Sequence, residues 1–224
     1  MKTPINEFEE NINLVKKLTN LHDLLSAKYK LQPYNIHDKP YDISDILRIQ
    51  YVNMVSALDR FIHEIVKIGL SKTFLSRRCL TRKAQTLPLQ AQFLLKMLSS
   101  EYSEIEKAEM YEFEIVRIMT KYSFQNEKTI KDALSYIWEE DQKFQKIAER
   151  MSIFSSKNSE NKKNWGQVLG QKLTLISQRR NQIVHEADIE YETNERRKIS
   201  PKEVQDDCAL IDEFVHAIWD NLPR

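Results

Sequence analysis

Glycine and proline are scarce in this chain, with three and six among 224 residues. Turn-rich β architectures need both at their reversals, so a sheet protein lacks its turn formers here. Cysteine is nearly absent. Cys79 and Cys208 lie far apart, with no CxxC pair and no adjacent histidine. That excludes a disulfide framework and a zinc site, and it suits a reducing compartment. No apolar run reaches membrane length, and Met1–Glu7 lacks the apolar core of a secretory signal. The expectation is a soluble, cytoplasmic protein with no membrane partner. An excess of one charge is missing too: 34 Lys and Arg against 33 Asp and Glu leave a net +1. No broad electrostatic footprint therefore advertises nucleic acid. A P-loop, a GxSxG elbow and a dinucleotide fingerprint are also absent.

What remains is helical patterning. Charged residues make up 30% of the chain and interleave with apolar ones at helical intervals, so the fold class is all-α. The length suits one helical domain over 1–224 with a substantial core. Phe8, Ile12, Val15 and Leu18 mark a helix over Asn6–Lys30, and Gln32–Tyr41 reads as a loop. Ser44 is placed to cap a long helix to Ser71. Residues 73–87 are basic and irregular. Helices follow over Pro88–Leu98, Glu101–Lys121 and Asn126–Met151, the second with an acidic, exposed face. Ser155–Asn164 reads as a mobile connection, and a helix starts at Trp165. Glu186–Ile199 is polar and suits a loop or short hairpin. Ser200, Pro201 and Glu203 then form a capping-box start for the last helix. The core helices are thus about 44–71, 165–185 and 200–222, with 74–163 a possible elaboration.

Basic clusters occur at Arg77-Arg78, Arg82-Lys83, Lys162-Lys163, Arg179-Arg180 and Arg196-Arg197-Lys198. Such runs commonly sit on solvated helix ends. One differs. On a helix turning about 100° per residue, Trp165, Leu169, Leu173, Ile176 and Ile183 share a stripe, and Arg180 falls inside it. A permanent charge on an apolar face is costly unless something pairs with it. His185 follows on another flank, with Asn181 one turn below it and able to orient the imidazole. Asp188 sits a further turn along, where a continuing helix would let it fix the second ring nitrogen.

Histidine transfers protons near neutral pH, and arginine clamps phosphate in bidentate fashion. Together they suit RNA cleavage by its own 2′-hydroxyl, a reaction that needs neither metal nor cofactor. The same residues equally suit an ion pair inside the protein with His185 closing a helix, and residue types leave both readings open. Asp59, His63 and Glu64 read as surface pairs. His22, His37 and His216 lack suggestive company. Tyr102, Tyr111 and Tyr122 could stack on bases, although aromatics at helical spacing usually fill cores.

Arg180-Asn181-Gln182-Ile183-Val184-His185 resembles the RxxxxH signature of the HEPN superfamily, a group of helical RNases and their relatives. Arg179–Asp188, the polar insert and the helix opening at Ile199–Val204 are similar to its RiboL-PSP-HEPN branch. So is the earlier stretch Tyr51–Glu64. The resemblance covers roughly 44–71 and 165–220 and implies an antiparallel helical bundle with extra helices in the middle. It implies Arg180 and His185 as the catalytic pair of an endoribonuclease, with Asn181 completing the motif. It further implies a homodimer and a toxin or antiviral defence effector that arrests an infected host, with a regulatory or antitoxin protein as a possible partner. A non-catalytic module that binds RNA or protein is the other function compatible with these residues. In HEPN toxins paired with nucleotidyltransferase antitoxins, a tyrosine stands two residues after the histidine. Here that position is Ala187, which argues against silencing by its modification, although Tyr191 lies nearby.

Overall fold

The computed structural model describes residues 2–30, 43–155 and 162–223. Among them all regular structure is helical, with no strand: α1 (Pro4–Lys30), α2 (Ser44–Phe74), α3 (Ala91–Leu98), α4 (Glu104–Met119), α5 (Glu127–Ser135), α6 (Lys143–Arg150), α7 (Ser152–Ser155), α8 (Trp165–His185) and α9 (Pro201–Asn221). The expected all-α class is what the chain adopts. The loop expected over Gln32–Tyr41 lies outside the described residues, as do 156–161 of the expected connection. Lys162–Asn164 forms a single 3₁₀ turn leading into α8.

α2 is the axis of the bundle. α1 runs antiparallel to it: Phe8 packs edge-on against Phe61 at 5.9 Å, and Gln50 donates to the Val15 carbonyl at 2.9 Å. α9 is antiparallel to α1, through Lys16–Asp212 at 2.7 Å and Glu9–His216 at 3.2 Å. Tyr51, Met54, Leu58, Phe61 and Phe214 are sealed at the centre. Each such side chain contributes about 1.5–3 kcal/mol through removal from water. The middle of the chain joins this core through Ile115, Ile118, Ile130, Leu134 and Ile147.

Several expectations need correction. Ser44 does not cap α2: it is the first helical residue, and its hydroxyl accepts a bond from Arg48. α2 passes Ser71 and ends at Phe74, where Ser76 turns left-handed (φ 56°). Bonds from Arg77 N to Lys72 O at 2.8 Å and Ser76 N to Thr73 O at 3.0 Å close this end as a Schellman motif. The helix expected over Asn126–Met151 is broken between α5 and α6. Tyr136, Ile137 and Trp138 are all buried, and three adjacent residues cannot share one face of a helix. Glu139, Glu140 and Asp141 then place negative charge beyond the end of α5, against its dipole. The face of α4 is not wholly exposed, since Glu114 is buried against Arg117 at 2.6 Å and 2.7 Å. Ser200 caps α9 by accepting from Glu203 N at 3.2 Å. The reciprocal half of the expected box is missing, because the Glu203 side chain lies 3.8 Å from Arg179.

All three glycines sit inside helices rather than turns. Gly166, which opens α8, donates to the Gln145 side chain at 3.0 Å, and a β-carbon there would stand 2.6 Å from the Gln145 backbone nitrogen. The approach of α8 to α6 therefore depends on hydrogen at this position. Gly166→Ala is expected to push the helices apart at a cost of about 1–3 kcal/mol, read from the urea midpoint. An unchanged midpoint would mean that α6 yields freely.

Candidate functional site

α8 is buried from Trp165 to Ser177 through Leu169, Leu173 and Ile176. Its later turns leave the core while the stripe continues, so Arg180 is half-buried and Val184 is 43% exposed. The helix stops at His185. Glu186 N and Asp188 N both bond to Gln182 O, at 3.1 Å and 3.0 Å. Ala187 and Asp188 are left-handed (φ 51° and 58°), a conformation that costs a residue such as Ala187 roughly 1–2 kcal/mol and that aspartate tolerates more readily.

That reversal drives Asp188 inward, where it is fully buried. Its carboxylate receives Arg48 Nε from α2 at 2.6 Å and both terminal nitrogens of Arg179, one of them at 3.1 Å. Arg48 also donates to the Arg197 carbonyl at 2.9 Å, and Arg179 to the Lys198 carbonyl at 3.3 Å. Arg197 N returns a bond to the Asp188 carbonyl at 2.8 Å. One carboxylate thus fastens the start of α2, the end of α8 and the chain entering α9. The expected short hairpin is present in reduced form, as a single antiparallel bridge between Ile189 and Arg196 with Glu190 N bonded to Glu195 O at 2.8 Å. Tyr191 at its tip is 98% exposed.

The expected arrangement of supporting residues is corrected here. Asp188 does not fix the imidazole of His185, because the helix ends first and the left-handed turn aims the carboxylate at two arginines. Asn181 does not orient it either: its side-chain oxygen accepts from Arg180 at 3.1 Å. His185 is exposed, and its ring meets no hydrogen-bond partner among the described residues. Among the described residues Arg180 reaches no carboxylate, and its Nε is buried with nothing bonded to it. The ion pair inside the protein exists, but Arg179 makes it. Sequence reasoning missed Arg48 and the role of Arg179. The available signal was an arginine at 48 between the apolar positions Leu47 and Tyr51.

Beside this lock lies a groove of about 410 Å³ lined by Tyr51, Lys172, Ile176, Arg179, Glu203 and Asp207. Tyr51 donates to Asp207 at 2.6 Å, and burial pushes both groups' pKa values up. Asp59 is occupied by the backbone of Phe124 and lies 3.8 Å from His63, whose ring packs on Phe124 at 4.6 Å. Tyr111 is buried and stacked on Phe74 at 4.6 Å. Tyr122 stacks on Phe124 with centroids 6.3 Å apart. His37 lies outside the described residues. Among the described residues, no three His, Cys, Asp or Glu side chains are grouped to hold a metal ion, and no helix is long and apolar enough to cross a membrane.

No curated protein and no solved structure matches the chain. The model of one family does, over residues 6–221, a span that includes the middle segment together with both ends. It takes in α2 with Arg48, α8 with Arg180 and His185, and the reversal at Asp188. By that match the chain belongs to the RiboL-PSP-HEPN family.

Proposed function

We propose that the protein is a metal-independent endoribonuclease of the HEPN superfamily, with Arg180 and His185 as its catalytic pair. The observation that carries this reading is the contrast between neighbouring arginines. Arg179 is consumed by Asp188, whereas Arg180 keeps a buried, unpartnered Nε and His185, at the end of the same helix, is exposed and unbonded among the described residues. A guanidinium left without an anion is suited to receive one from outside, and a phosphodiester offers two non-bridging oxygens that share its negative charge in the matching geometry.

The chemistry follows from those groups. An imidazole takes the proton from a ribose 2′-hydroxyl, whose oxygen attacks the adjacent phosphorus. The bond from phosphorus to the 5′-oxygen breaks, and a protonated imidazole supplies the proton to that leaving oxygen. Arg180 stabilises the charge on the pentacoordinate phosphorus. The products are a 2′,3′-cyclic phosphate and a 5′-hydroxyl. Base and acid are two imidazoles if two protomers pair around a two-fold axis. The uncovered continuation of the stripe through Val184 supports a homodimer of this kind, with α8 at the contact and the two Arg180 side chains converging on one phosphate. Toxicity to an infected cell, with control by a partner protein, is the biological setting that the family membership suggests.

Purified protein incubated with mixed RNA in excess chelator is expected to yield cyclic-phosphate ends. His185→Ala should lower the rate by about a hundredfold or more. Cleavage that requires added metal, or that survives His185→Ala, removes the mechanism. Val184→Glu is expected to turn a dimer into a monomer by light scattering and to lower cleavage with it. A wild-type monomer with full activity removes the paired arrangement while leaving the pair Arg180 and His185 standing. Binding of RNA without any new ends would instead favour the non-catalytic module.

A further inference from the structure

α3 is out of keeping with the rest of the molecule. Phe93, Leu94, Leu95, Met97 and Leu98 are interrupted only by Lys96, yet no residue of this helix is buried. Phe93 and Met97 rest partly on the core, Phe93 beside the Tyr111 ring at 6.3 Å. Leu94, Leu95 and Leu98 are 46%, 70% and 83% exposed. α4, which adjoins it through Tyr111, continues the pattern: Ile105 and Phe113 are each 73% exposed, and Val116 is 41% exposed. Ile105, Glu109, Glu112, Phe113 and Val116 fall within an arc of about 100° on that helix. An isolated helix as short as α3 is unstable in water, and exposed apolar area of this extent marks an interaction site.

The charge around these side chains selects the occupant. Glu101, Glu104, Glu106, Glu109 and Glu112 are all exposed; against these five, α3 and α4 up to Val116 offer Lys96 and Lys107, and α2 offers Lys67, 3.7 Å from Glu112. Lys107 is already 3.4 Å from Glu104. A second copy docking here by two-fold symmetry would set this acidic rim against itself, and RNA would meet charge of its own sign. A basic protein segment meets neither objection.

We infer that the α3–α4 face docks an amphipathic helix of a partner protein, with apolar residues on one side and lysine or arginine along its edges. The site is remote from the catalytic pair. Phe74 stacks on Tyr111 at one end of α2, while Arg48 meets Asp188 at the other. The two ends lie roughly 39 Å apart along the helix axis. A partner held here leaves Arg180 and His185 open to RNA, so it tethers or recruits the protein rather than plugging it.

The test uses the full chain and a fluorescent synthetic helix of leucine and lysine at amphipathic spacing, with a leucine–glutamate helix of the same pattern as its control. Anisotropy is expected to show binding of the first and not of the second. Leu95→Ser/Leu98→Ser and, separately, Glu109→Lys/Glu112→Lys should each weaken it about tenfold or more, with helical circular dichroism unchanged because these side chains are exposed. Equal binding of both peptides, or binding indifferent to both double variants, overturns the inference. So does a wild-type dimer that Leu95→Ser/Leu98→Ser converts to a monomer, since a second copy would then be the occupant. None of these outcomes depends on whether the protein cuts RNA.

Discussion

Replacing Asp188 with alanine is expected to cost about 3–5 kcal/mol of stability, a fall of about 1–2 M in the urea midpoint. The reason is what the substitution leaves behind. The Arg48 and Arg179 side chains are only 7% and 12% exposed, and Asp188 supplies their shared counter-charge. Without it two guanidinium groups remain in a poorly solvated site with only the partly exposed Asp45 and Glu203 near them, and an under-compensated buried charge is far more costly than a lost contact. Asp188→Asn preserves the shape but not the charge, so it should fall nearer to alanine than to wild type. The triple substitution Arg48→Met/Arg179→Met/Asp188→Leu removes the three buried charges, leaving the partly exposed Asp45 and Glu203 to solvent, and should recover most of the lost stability, as apolar replacements of buried ion pairs often do. A loss below about 1 kcal/mol for Asp188→Ala, the ordinary scale of a point substitution, would show that solvent reaches the cluster and that the lock is weak.

The second large effect separates adjacent residues. Arg180→Ala is expected to lower RNA cleavage on the order of a hundredfold or more while leaving the melting temperature unchanged or slightly raised. Its Nε has no partner to lose, so removing it relieves a buried, unsatisfied donor. Arg179→Ala should do the reverse in order of severity. It strips one of two arginines from Asp188, so destabilisation comes first and lost activity follows from it. Melting curves and single-turnover rates on both variants distinguish the roles. If Arg180→Ala unfolds the protein as severely as Arg179→Ala, the division of labour between them is wrong.

The long helices were legible because each carries an apolar stripe along most of its length, as α1, α2, α8 and α9 do, and the one charge on the α8 stripe did not hide its period. The middle of the chain was less so. A periodic reading joins Ile130, Leu134, Ile137 and Phe144 into one helix, and only packing reveals that Tyr136, Ile137 and Trp138 must all turn inward. At the site, the place of Arg180 on the stripe could be computed by angle alone. The fate of Asp188 could not. It depends on consecutive left-handed residues at Ala187 and Asp188, of which only the aspartate has any leaning toward that conformation, and on Arg48 from a distant helix. Glycine scarcity was read correctly as a shortage of turn formers. Its other side went unseen: Ser76, Ala187, Asp188 and Asn194 make the left-handed turns, while the glycines serve helix contacts.

The bond between Arg48 and Asp188 spans 140 positions of the chain. Closing so long a loop carries an entropic cost that local helix formation does not meet, so this contact belongs late in folding. It also needs the carbonyls of Arg197 and Lys198, which follow the motif in sequence. During synthesis from the amino terminus, α8 therefore leaves the ribosome carrying Arg180 and His185 before the elements that fix its end have emerged. A chain halted between 185 and 198 contains the whole RxxxxH motif and lacks its anchor. Under the proposed mechanism, competence for catalysis then waits until Arg197 and Lys198 have left the ribosome, so the motif emerges before it is able to cut.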